Sequence, residues 1–176
     1  MNNRFILIGF MGAGKSYLGN RLSYLFNLHL VDIDIEIEKE LNMKIPEIFF
    51  QKGESLFRKV ERSLFKQHIV RNNVIISCGG GLTESAENRK LIKDSNSIVI
   101  FLDPEWSIIW KRIMHSERPL VKSKSEEEVR QLWLSRISNY LDCATARLNP
   151  QQSIDEFVSR LVDFNDAMQL TKLLLH

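Results

Sequence analysis

Eight residues near the amino terminus, Gly9-Phe-Met-Gly-Ala-Gly-Lys-Ser16, restrict what this 176-residue chain can become. They follow an apolar run, Phe5-Ile-Leu-Ile8, that reads as a buried strand. They precede Tyr17, Leu18, Arg21, Leu22 and Leu25, which have helical spacing. Strand, glycine loop, Lys-Ser and helix form the context that a G-x-x-x-x-G-K-[ST] phosphate loop requires. Gly9, Gly12 and Gly14 let the backbone turn tightly, so successive N–H groups can face one concavity. The helix adds unpaired N–H groups and the positive end of its dipole. Gly12, Ala13, Gly14, Lys15, Ser16 and Tyr17 are therefore the candidate phosphate-binding residues. Lys15 places a mobile cation on the β- and γ-phosphates, and the Ser16 hydroxyl can ligate Mg²⁺. A glycine-rich turn that merely starts a helix does not account for this whole context. The chain is expected to bind a nucleoside triphosphate.

The length suits one domain, residues 1–176, with a single substantial core. Lys plus Arg exceeds Asp plus Glu by only two (24 against 22). No strong overall field recruits nucleic acid or an acidic membrane, so neither partner is expected. Cys78 and Cys143 lie far apart and make no metal or redox motif, which suits a reducing compartment. The first apolar run is too short for a secretory signal and leads straight into the glycine loop. No segment approaches the ~20 apolar residues of a membrane span. A cytoplasmic setting is expected.

Apolar runs at residues 5–8, 28–33, 74–77 and 98–102, with a weaker one at 145–148, predict five strands. Helical periodicity falls at 15–26, 34–41, 54–70, 84–93, 105–115, 126–142 and 154–164. Ser125 with Glu128, and Ser153 with Glu156, follow the capping-box pattern, and Asp103-Pro104 reads as a helix start. This alternation predicts an α/β fold, a three-layer sandwich with a parallel sheet covered on both faces. The polar stretch at residues 115–125 holds three cations, Arg118, Lys122 and Lys124. An ordinary solvated loop reads the same way, but in a phosphate-loop protein such a segment suits a mobile lid.

Further candidates lie beyond the loop. Asp32 and Asp34, in Val31-Asp-Ile-Asp-Ile35, fall at a strand end, where parallel sheets bind ligands. Strand alternation turns both to one side, suiting Mg²⁺ beside a substrate hydroxyl. The alternative is a helix N-cap at Asp34 beside a surface acid. Arg58, three residues before Glu61, is placed for a carboxylate to fix its guanidinium, which can then grip an acidic substrate. A surface salt bridge reads the same way. Gly79, Gly80 and Gly81 follow a strand and permit close approach of a ligand to the main chain. Arg136 and Tyr140 share one helix face.

In combination these features resemble the shikimate kinase family over residues 5–161. The phosphate loop, Asp32-Ile-Asp34, Ile45-Pro-Glu-Ile-Phe49, Gly53-Glu54 with Phe57-Arg58-x-x-Glu61, Gly79–Gly81, Arg118-Pro-Leu120 and Arg136-x-x-x-Tyr140 occur in the family's order and spacing. The resemblance implies a five-stranded parallel sheet and a P-loop kinase fold, with a substrate region at 33–61, a lid at 112–125 and an extension at 165–176. It implies transfer of the γ-phosphoryl group of ATP, with Mg²⁺, to the 3-hydroxyl of shikimate, by a monomer. Ser16 and Asp32 then hold Mg²⁺; Asp34, Arg58, Gly79, Gly80, Gly81 and Arg136 hold shikimate. Arg112 stacks on adenine, with Lys111 the alternative, and Arg118 reaches the phosphates from the lid. Lys15, Asp34 and Arg118 are the catalytic candidates. An aspartate of ordinary pKa is a weak base near neutrality, so orientation is expected to be the larger contribution of Asp34. Departures are Cys78 for a common threonine, Val121 for a leucine and Asp142 for a glutamate. No Asp-Gly-Phe-Pro-Arg block of adenylate kinases is present, and gluconate kinases lack the Phe57–Glu61 block.

Overall fold

A computed structural model describes residues 4–148 and 156–159. Five strands, β1 (Arg4–Ile8), β2 (His29–Asp32), β3 (Val74–Ser77), β4 (Ile98–Leu102) and β5 (Ala146–Leu148), form one all-parallel sheet. Its order is β2-β3-β1-β4-β5. The central strand is buried along its whole length, as its unbroken apolar run requires. Alternate β1 residues serve opposite faces: Ile6 and Ile8 enter one core, Phe5 and Leu7 the other.

Seven helices are described: α1 (Lys15–Phe26), α2 (Ile33–Leu41), α3 (Ile45–Ile69), α4 (Ala86–Asp94), α5 (Trp106–Ile113), α6 (Pro119–Lys122) and α7 (Glu126–Cys143). The first core takes Ile33 and Ile37 from α2, Ile48, Phe57 and Phe65 from α3, and Tyr140 from α7. The second takes Leu18 and Leu22 from α1. Phe157 and Val158, from helical residues 156–159, complete it. A third, smaller cluster of Phe10, Ile109, Ile113, Val121 and Val129 ties the glycine loop to α5, α6 and α7. The expected five-strand layered architecture is therefore present. The rest of the predicted final helix, the Ser153 cap and the extension at 165–176 lie outside the described residues.

Local differences have identifiable causes. The second strand ends at Asp32, and Ile33 begins α2, so Asp34 is not on a strand. Asp32, not Asp34, is the N-cap, its carboxylate accepting the Asp34 N–H at 3.1 Å. α3 begins at Ile45, nine residues before the predicted start. Glu47 accepts the Lys44 N–H at 3.1 Å and secures that beginning. At Gly53, φ 80° and ψ 164° interrupt α3 and kink it, which broke the periodicity in sequence. Leu82–Glu84 forms a separate 3₁₀ turn, and α4 starts at Ala86 with Ser85 as its cap. Asp103-Pro104 precedes α5 rather than entering it; buried Asp103 instead accepts from Arg147 Nε at 2.9 Å. Ser125 and Glu128 make the predicted capping box. The polar stretch contains a single helical turn, α6, rooted by Val121 in the third core.

Candidate active site

All five strands run the same way, so the loops after them gather at one sheet edge, where α/β folds bind ligands. Two adjoining clefts open there. The first, of about 520 Å³, is bordered by Gly12, Gly14, Lys15, Ser16, Tyr17, Asp32 and Arg112. The second, of about 460 Å³, is bordered by Arg58, Glu61, Gly79–Gly81, Arg136 and the 116–120 segment. Met11, Asp34, Gly80 and Arg118 border both.

The glycine loop is built for the first cleft. Gly9, Gly12 and Gly14 all take positive φ (140°, 77° and 104°), a region that residues with a Cβ rarely enter. Gly14 caps α1 without a side-chain hydrogen bond, leaving the helix's first N–H groups facing the cleft. The Lys15 ammonium donates to the carbonyls of Gly9 and Phe10, each at 2.9 Å. Burial lowers its pKa, with Asp34 opposing the shift and Arg118 adding to it. Ala13 faces the second core, and its N–H bonds the Phe10 carbonyl at 3.2 Å. Arg112 donates to the Gly12 carbonyl at 2.9 Å and borders the cleft, whereas Lys111 does not.

Asp32 collects two hydroxyls. Ser16 Oγ and Ser77 Oγ each lie 3.0 Å from its Oδ2. Sequence reasoning missed Ser77. Its signal was present in the pairing of β2 with β3, which puts Asp32 opposite Ser77. Serine hydroxyl and aspartate carboxylate form an oxygen donor set that fits Mg²⁺, which takes few protein ligands. Among the described residues, no cluster of three His, Cys, Asp or Glu side chains competes with it.

The second cleft is lined by arginines. Arg58 donates to Glu61 at 2.8 Å and to Glu54 at 3.1 Å. Gly81 leaves room for that guanidinium: a Cβ there would lie 2.5 Å from Arg58 Nη2. Arg136 is 4% exposed, donates to Glu84 at 2.6 Å and lies over the Phe10 ring at 5.6 Å. Tyr140 donates its hydroxyl to the Gly80 carbonyl, bracing the glycine run against α7. A Cβ on Gly79 would come within 2.6 Å of Glu61 Oε1 and 2.9 Å of Asp34 Oδ1. Those two buried oxygens have no hydrogen-bond partner among the described residues. Burial raises the pKa of both carboxyls; Asp32 pushes Asp34 further up, while Lys15, Arg118 and Arg58 draw it down. Asp34 is thus a better base than an ordinary aspartate, a property invisible in sequence.

Arg118 is the N-cap residue of α6 and borders both clefts. Of the departures, Cys78 borders the first cleft and packs into the first core, where burial holds its thiol pKa well above the usual range. Asp142 faces outward to Lys93 at 2.6 Å.

A family model described as shikimate kinase matches residues 11–165. This chain belongs to the shikimate kinase family. It is 37% identical over 161 residues to a shikimate kinase of Macrococcus caseolyticus, covering 91% of this chain and 95% of that one. It is 38% identical to a shikimate kinase of Persephonella marina, covering 88% of this chain and 96% of the other. Among solved structures, a shikimate kinase from Acinetobacter baumannii in complex with shikimate superposes with a TM-score of 0.86. That pair shares 27% identity over 96% of this chain and 95% of the other.

Proposed function

We propose that this chain transfers the γ-phosphoryl group of ATP to the 3-hydroxyl of shikimate, yielding shikimate 3-phosphate and ADP on the route to aromatic amino acids. One observation carries the reading. The phosphate cleft and the arginine-lined cleft share Asp34 and Arg118, so a triphosphate and an acidic polyol would meet at those two side chains. Family membership and a relative solved with shikimate support it.

Phosphoryl transfer asks chiefly for positioning and charge stabilisation. Arg58 and Arg136 take the substrate carboxylate and aim the ring. Gly79–Gly81 allow close backbone approach, and the unpartnered Asp34 Oδ1 accepts the acceptor hydroxyl. The hydroxyl oxygen bonds to the γ-phosphorus as the bond from phosphorus to the β,γ-bridging oxygen breaks, and the proton passes to Asp34. Lys15 and Arg118 neutralise charge on the phosphoryl oxygens. Arg112 flanks the adenine side. Ser16 and Asp32 would hold Mg²⁺, which supplies further charge neutralisation when bound. Closure of the segment carrying α6 excludes water, the competing acceptor. A monomeric state and a cytoplasmic setting belong to the same proposal.

The test is ADP release with ATP and Mg²⁺ across shikimate, quinate, gluconate and nucleoside monophosphates, with the product identified by phosphorus NMR. Turnover of shikimate alone is expected. Turnover of another acceptor with none of shikimate would overturn the reading.

A further inference from the structure

Arg136 is buried in the wall of the second cleft, and a buried guanidinium needs partners to hold both its charge and its orientation. Glu61 acts on it through space, but its ion-pair partner among the described residues lies outside the motifs that carry the family resemblance. It is Glu84, 52 positions earlier, whose Oε1 accepts from Arg136 Nε at 2.6 Å. We infer that Glu84 is a positioning residue that sets the Arg136 guanidinium for an incoming carboxylate. This inference rests on the acidic acceptor proposed above.

The geometry distinguishes this contact from an ordinary surface pair. The Arg136 side chain is 5% exposed while that of Glu84 is 40% exposed, so the contact orients a buried group from the rim. With Nε committed to Glu84, the Nη groups face the ligand side, and the Tyr140 hydroxyl is also within hydrogen-bond reach of the guanidinium. The Phe10 ring below Arg136 restricts tilt, and Glu84 restricts rotation in the guanidinium plane.

Glu84 is itself held. It closes the 3₁₀ turn directly after the glycine run, where the Glu84 N–H bonds the Gly81 carbonyl at 3.0 Å. Arg89 of α4 donates to the carbonyls of Thr83 at 2.7 Å and Glu84 at 3.0 Å. Gly81, at the start of that turn, packs against Arg58. A single short segment therefore adjusts both guanidiniums, Arg58 by leaving space and Arg136 through a carboxylate.

The test compares wild type with Glu84→Ala and Glu84→Gln, measuring kcat and KM for shikimate and for ATP. Glu84→Ala is expected to raise the shikimate KM about tenfold, a modest loss for a charge pair with one half-exposed partner. Its kcat and ATP KM should stay within about twofold of wild type. Glu84→Gln keeps an oxygen acceptor for Nε and should recover most of the affinity. An unchanged or lower shikimate KM in Glu84→Ala overturns the inference. So does a Glu84→Gln enzyme as impaired as Glu84→Ala, or a fall in kcat and ATP affinity alongside a lowered Tm. Wild-type enzyme that leaves shikimate untouched would defeat the proposed function and this inference together. Turnover by wild type with an unmoved Glu84→Ala KM defeats the inference alone.

Discussion

The two clefts are made in opposite ways. The first cleft takes six of its lining residues from one continuous segment, Met11 to Tyr17, and adds Asp32, Asp34, Ser77, Cys78, Gly80, Arg112 and Arg118 from elsewhere. The acceptor cleft draws Asp34 from α2, Arg58 and Glu61 from α3, the glycines from the end of β3, and Arg136 from α7. Their charges differ too. Among the described residues Lys15 donates to backbone carbonyls alone, whereas Arg58 and Arg136 each carry a carboxylate partner. A triphosphate brings several negative charges and needs bare cations and N–H groups. A single carboxylate needs guanidiniums held in fixed poses.

That contrast can be broken by mutation. The largest expected effect is at Lys15: Lys15→Ala should lower kcat by about 10³-fold or more, through lost stabilisation of the transferring phosphoryl group. A near-normal kcat would remove Lys15 from the chemistry. Next comes Asp34, the hinge between the clefts. Asp34→Asn should lower kcat by about 10²–10⁴-fold, the usual range for a general base. It should also raise Tm. Burial raises the Asp34 pKa, so the folded state binds that proton more tightly than the unfolded chain. The ionised carboxyl therefore costs stability once pH passes above its unfolded pKa, and the neutral amide avoids that cost. For the same reason the acid limb of the kcat/KM profile, which reports the unliganded site, should lie above the ordinary aspartate range. A limb near pH 4 would show that proton acceptance by Asp34 does not govern turnover.

Smaller effects separate the two clefts. Arg58→Ala or Arg136→Ala should raise the shikimate KM, each losing roughly 2–5 kcal/mol of binding, with the ATP KM little changed. Unchanged shikimate KM in both variants would contradict the clamp. Arg112→Ala should do the reverse on a smaller scale, raising the ATP KM about three- to tenfold and sparing the shikimate KM.

Legibility in sequence follows the same division. The strands were readable because four of the five are apolar runs, and the loop because its residues are contiguous. The helix expected from residue 34 is present, but the alternation in Val31-Asp-Ile-Asp-Ile35 misleads about the direction of Asp34, because the chain already turns into α2 at Ile33. The first half of α3 was hidden by Pro46 and by Gly53, which breaks its period. Arg58 and Arg136 were nameable only through resemblance, because spacing alone allows a surface ion pair. Ser77 and Glu84 lie 45 and 52 positions from the groups they hold, so only the folded chain joins them. The shifted pKa of Asp34 likewise comes from burial and neighbours brought together by topology.

Asp34 and Arg118 belong to both clefts at once, so donor and acceptor should meet there. The most direct test is a crystal structure with a non-hydrolysable ATP analogue and shikimate bound together. The 3-hydroxyl oxygen is expected within about 3.5 Å of the γ-phosphorus and in hydrogen-bond reach of Asp34, with the carboxylate on Arg58 and Arg136. Shikimate bound with Asp34, Arg58 and Arg136 turned away from it, or its hydroxyl remote from the terminal phosphate, would contradict the claim.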